Sequence, residues 1–129
     1  MRLLLDTHVL LAMLDKEPDR LGRQIASAIA QADAQLYVSV ASLWEVAIKT
    51  RLGKLGLGAE LRELPELLAA LRLELIPILA SHALCEIRPE PMTRDPFDRL
   101  LLAQCVIEGV RLLTIDRALV DHPMSYSAN

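Results

Sequence analysis

The chain has 129 residues, 53% of them apolar and only 3% aromatic, with a formal net charge of −3. One domain of this size buries enough surface to fold without a disulfide or structural metal, and its apolar content excludes general disorder. The acidic balance argues mildly against a nucleic-acid partner, which more often meets a basic face. The two cysteines, Cys85 and Cys105, lack metal-ligand spacing and read as buried thiols. The apolar start is broken by Asp6, and no run approaches a membrane span. The expectation is a soluble, cytoplasmic protein with no membrane partner.

In chain order, Met1 to Leu5 reads as a buried strand, and Thr7 to Leu14 as an apolar helix. Asp19 can cap a second helix with Leu21, Ile25, Ile29 and Ala32 on one face. Leu36 to Val38 is a second strand. Ser39 and Ser42 both suit the start of the next helix, Leu43 to Arg51. Gly53, Gly56 and Gly58 mark a loop. A helix is expected over about Leu64 to Arg72, a strand over Leu73 to Ile78 and a helix over Leu79 to Arg88. Prolines 89, 91 and 96 bracket a loop, Asp95-Pro96 opens a helix to about Glu108, and Gly109 ends it. Arg111 to Thr114 is a fourth strand, and the tail 121–129 carries no clear element. Alternating strands and helices imply a single α/β domain over 1–129, with a parallel sheet between helical layers.

Sites in open parallel sheets lie beyond the C-terminal ends of the strands. Asp6 follows the first strand and Asp116 the fourth. Glu45 lies one to two turns into the helix after the second, and Asp98 lies in the first turn of the helix before the fourth. Each has a purely structural alternative. Asp6 could cap a helix. Ser42-Leu43-Trp44-Glu45 has capping-box spacing. Asp98 could complement Asp95 and the helix dipole, and Asp116 could serve a turn. Their recurrence at one rim is what points to chemistry. Two carboxylates about 4 Å apart repel by roughly 4 kcal/mol at an effective dielectric of about 20, so four of them call for a neutralising cation. Mg²⁺ and Mn²⁺ take such hard oxygen ligands and support phosphodiester hydrolysis by activated water.

Four segments together resemble the PIN domain, and within it the VapC-type toxins of toxin–antitoxin pairs. They are Leu4-Leu5-Asp6-Thr7-His8-Val9-Leu10, Ser39 to Lys49 around Trp44-Glu45, Arg94-Asp95-Pro96-Phe97-Asp98-Arg99, and Leu113-Thr114-Ile115-Asp116-Arg117. The resemblance implies a PIN-like α/β/α fold with four or five parallel strands. It also implies an endoribonuclease dependent on Mg²⁺ or Mn²⁺, an antitoxin partner and a homodimer. Asp6 and Asp98 would be the main metal ligands, Glu45 and Asp116 would complete the set, and Thr114 would hold a ligand or water. Asp95 resembles an extra acid of one toxin subgroup, and an N-cap is its alternative. That subgroup often has His where this chain has Thr93, so a role for that side chain is not expected. The poor strand character of 121–129 leaves the last edge strand open.

Lys49, Arg51, Lys54, Arg94, Arg99 and Arg117 flank the acids in sequence and could hold an RNA backbone. Solvated helix ends are the alternative for the first three. Core packing is favoured for Trp44 over base stacking. His8, His82 and His122 show no common spacing, and His8, two residues after Asp6, reads as a core or capping group. The stripe of Leu10, Leu14, Ile25 and Ile29 is expected to exceed what the sheet covers and to serve a dimer. Two rival readings remain. One is a PIN-like protein that binds RNA or a partner without nuclease activity. The other is a phosphoacceptor receiver domain, which would want an acidic pair after the first strand and a Lys after the last.

Overall fold

Four short strands organise the chain: β1 Arg2–Leu5, β2 Gln35–Ser39, β3 Leu73–Ile76 and β4 Arg111–Leu113. The structure, a computed structural model, describes residues 1–128. Asn129, the end of the tail read above as irregular, lies outside them. The strands form one wholly parallel sheet in the order β3-β2-β1-β4. The helices are α1 Thr7–Leu14, α2 Arg23–Ala30, α3 Val40–Arg51, α4 Leu64–Ala70, α5 Ala80–Ala83 and α6 Pro96–Glu108. Parallel neighbours need crossovers, and each crossover here carries helix.

The sheet is covered on both faces, which is why the inner strand β1 is a continuous leucine run rather than an alternating one. Leu3 and Leu5 of β1 and Leu113 of β4 point into one core, with Val9 and Leu10 of α1, Ala28 of α2 and Leu68 of α4. Leu4 and Leu112 point the other way, against Leu101, Leu102 and Cys105 of α6. This is the expected three-layer α/β/α arrangement. Burial pushes the Cys105 thiol up to about 12, whereas Cys85 is only half-buried, in contrast to the expected pair of buried thiols.

Several boundaries differ from the sequence reading, each for a local reason. Asp19 does not cap α2: Pro18–Leu21 forms a 3₁₀ turn, and Gly22 at φ +91° restarts the chain as a helix. The α3 helix begins at Val40, because Ser39 accepts from the Ala41 N–H and caps it. Ser42 is therefore inside the helix, and the Ser42–Glu45 capping box does not exist. The helix expected over 79–88 is a single turn, with a cis Arg88–Pro89 peptide beyond it. The third strand stops at Ile76, one residue before Pro77, which has no N–H to donate. The sheet has four strands among the described residues. At its β4 edge Ser125 makes one parallel bridge to Leu112, with Leu112 N–H donating to Met124 O and Tyr126 N–H to Leu112 O. The tail thus covers the edge without forming a strand.

The stripe assigned to a dimer surface is mostly spent inside the fold. Leu10 is fully buried, and Leu14, Ile25 and Ile29 pack partly buried against the first core. The more exposed large apolar side chains lie elsewhere, with Met92 and Leu84 above 80% exposed and Leu52 and Trp44 near 60%.

Candidate active site

Asp6 sits where β1 ends and α1 begins. Its backbone N–H donates to Leu113 O at 3.0 Å, which extends the β1–β4 pairing by one step. Its Oδ1 accepts from Val9 N–H at 2.8 Å and caps α1. Its Oδ2 accepts from the Thr114 hydroxyl across the sheet. The side chain is only 2% exposed. Burial pushes its carboxyl above the ordinary range, the bonds from Thr114 and Val9 and the charge of His8 oppose this, and Asp116 adds to it. Capping and placement at the rim therefore coexist in one residue.

Glu45 lies in the second turn of α3 and is also buried. Its Oε1 accepts from the Thr7 hydroxyl at 2.6 Å, and Thr7 Oγ1 lies 3.2 Å from Ser42 Oγ. Its Oε2 accepts from Lys49 Nζ at 2.6 Å, one helical turn on. Asp98, in the first turn of α6, accepts at Oδ2 from the Thr93 hydroxyl at 3.3 Å. Its carboxyl is raised to about 6, by burial first and then by the charges of Asp95, Asp116 and Glu45. Asp116 follows β4: its N–H donates to Thr114 Oγ1 at 3.0 Å, and its Oδ1 accepts from Ala118 N–H at 2.8 Å, as in a turn.

These residues form one electrostatic unit. Asp116 acts on both Asp6 and Asp98, and Glu45 and Asp95 act on Asp98. Asp95 caps α6 through Oδ1, which accepts from Phe97 N–H at 2.8 Å, and it stays exposed. It is an N-cap whose charge is felt at Asp98. Thr7 and Thr93 were missed as site residues in the sequence, although each stands next to an acidic motif. Thr93, which stands where the toxin subgroup often has His, donates its hydroxyl to Asp98.

The basic residues are not alike. Lys49 is held on Glu45, and Arg99 is tied to Thr93 O at 2.9 Å and to Glu90. Arg51, Lys54 and Arg117 are exposed. Trp44 is not core: it is 59% exposed and meets Phe97 edge-on, with ring centroids 5.7 Å apart. That contact ties the α3 helix to α6 beside Glu45 and Asp98. His82 is buried, with Nδ1 accepting from Leu79 N–H and Nε2 facing Glu108 at 3.0 Å, whereas His8 is exposed in the first turn of α1, not the core or capping group expected. A concavity of about 750 Å³ is not over the acids. It lies between α5 and the start of α6, lined by residues such as Leu84, Cys85 and Leu100.

As the side chains stand, no three His, Cys, Asp or Glu residues among those described are arranged to hold a metal ion. Protein donors meet oxygens of Asp6, Glu45 and Asp98. The donor set nevertheless fits a hard divalent cation. It consists of carboxylate oxygens with a threonine hydroxyl at hand, and the Lys49 ammonium lies 2.6 Å from one of those oxygens.

Fold and site together define a class, a parallel α/β/α domain with an acidic rim at the C-terminal ends of β1 and β4. The model of the PIN domain matches residues 3–123, and the chain belongs to the PIN domain family. Solved structures of the same fold include a toxin–antitoxin complex from Klebsiella pneumoniae, at TM-score 0.62 and 20% identity, covering 96% of this chain and 95% of that one. Another is VapBC2 from Rickettsia felis bound to a DNA fragment of its promoter, at TM-score 0.62 and 17% identity, covering 97% and 96%. A search of curated proteins by sequence found no match.

Proposed function

We propose that this protein is a metal-dependent endoribonuclease and the toxin of a type II toxin–antitoxin pair. The observation that carries the reading is the coupled set Asp6, Glu45, Asp98 and Asp116 at the end of the sheet in a PIN domain. The likeness to toxin–antitoxin complexes supports the toxin assignment. Asp6 and Asp98 would be the main ligands of Mg²⁺ or Mn²⁺, with Glu45 and Asp116 completing the set and Asp95 as an outer acid. The chemistry such an ion supplies is acidification of a water and neutralisation of charge on the attacked phosphate. Thr114 orients Asp6, Thr7 orients Glu45, and Thr93 orients Asp98. The exposed Arg51, Lys54 and Arg117 would hold the RNA backbone, with Arg99 fixing the loop before α6. A cognate antitoxin and a second copy of the chain are the expected protein partners, and the cytoplasm is the expected site of action. Among the described residues no helix is long and apolar enough to cross a membrane.

Incubation with mixed RNAs tests this reading. Cleavage is expected with Mg²⁺ or Mn²⁺, with none in excess EDTA. Asp6→Asn should lower the rate by at least about a hundredfold, the upper end of what loss of a ligand's supporting partner costs. Metal binding with no cleavage of any RNA would instead favour a protein that only binds.

A further inference from the structure

The Lys49 ammonium is the close counter-charge of the acidic rim. It lies 2.6 Å from Glu45 Oε2, on a carboxylate only 6% exposed. The charges of Asp95 and Asp98 also favour its charged form, less than Glu45 does. Its spacing of four residues from Glu45 fixes it on the same helical face. The other oxygen of Glu45 is held by Thr7, so Lys49 occupies the one that is left. An incoming divalent ion drawn to these acids meets a positive charge already seated among them.

We propose that Lys49 is a built-in competitor of the divalent ion: its ammonium holds the acidic cluster together in the metal-free protein and must leave Glu45 as the ion enters. This inference rests on the metal-dependent reading above. It makes Lys49 a residue that sets metal affinity, in place of the RNA contact suggested by its sequence position. One unit of positive charge beside a divalent ion changes its affinity on the order of tenfold, even with the dielectric of water.

Calorimetric titration with Mn²⁺ alone tests this on wild type, Lys49→Met and Lys49→Arg. The expectation is affinity about tenfold tighter for K49M and close to wild type for K49R. Equal affinity in wild type and K49M overturns the proposal, and so does weaker binding in K49M, which would make Lys49 a support for Glu45. Absence of Mn²⁺ binding in all three proteins overturns the metal reading as well, a pattern distinct from the first two. A second measurement uses the unaltered protein. Acylation of its lysines, located by mass spectrometry, should rise at Lys49 when Mn²⁺ is added and stay constant at Lys16 and Lys54. No change at Lys49 in a protein that binds Mn²⁺ would contradict its displacement.

Discussion

The same local device is built twice at this site, with different results. In one turn Thr114 accepts from the N–H of Asp116 and donates to Asp6. In the other Thr93 accepts from the N–H of Asp95 and donates to Asp98. The first joins the ends of two paired strands 108 residues apart in sequence, so sheet register fixes the carboxylate. The second stays within five residues, on a loop leading into a helix, and its bond to the acid is 3.3 Å long. Asp6 is thus held by backbone at both ends. Asp98 is held by one long side-chain bond and kept under electrostatic strain by its neighbours.

The two threonines are therefore not equivalent. Thr114→Val should cost about 10–100-fold in kcat, the usual effect of removing a partner that orients a ligand, and Thr114→Ser should restore most of it. KM should change little, since the buried Thr114 hydroxyl is engaged with Asp6 and Asp116. Thr93→Val should cost less, under about tenfold. Equal losses, or no rescue by Ser, would erase the distinction.

A smaller effect concerns stability without metal. Asp98 is raised from 3.8 to about 6 in the folded protein. A raised carboxyl penalises folding once the unfolded chain ionises, so its cost is absent below about pH 4, grows between pH 4 and 6, and is complete above. Asp98→Asn should therefore stabilise the metal-free protein at pH 7.5 by about 1 kcal/mol, the shift being discounted for a half-exposed group. The gain should vanish at pH 4, as read by denaturant unfolding in EDTA. The Asn variant should also lose the stabilisation that Mn²⁺ gives the wild type, about 2.7 kcal/mol at a hundred times its dissociation constant.

The strand-end acids were the legible part of this site. Leucine runs that stop at Asp6 and near Asp116 announce buried parallel strands, and topology puts their ends on one rim. The α/β/α layering followed from the same alternation. The helix-borne part was harder to read. Ser39 and Ser42 offer the same chemistry to a helix start, and only the strand's length decides that Ser39 caps and Ser42 lies inside. Thr93 and Thr7 act through hydroxyls whose partners depend on how α1, α3 and α6 pack, which local pattern does not encode. Trp44 was misjudged because a lone Trp beside apolar residues resembles core, and here it lies over Phe97 at the rim. Ile25 and Ile29 pack partly buried against the first core, on the helix that Gly22 restarts.

The central claim is that Asp6, Glu45, Asp98 and Asp116 form one divalent-cation site. Diffraction from crystals soaked in Mn²⁺, with data collected for anomalous scattering, tests it most directly. An anomalous peak is expected within about 2.2 Å of carboxylate oxygens of Asp6 and Asp98, close to the distances such hard ions keep from oxygen, with Lys49 moved off Glu45. A saturating soak that leaves this rim empty, or places the ion elsewhere on the chain, would contradict it.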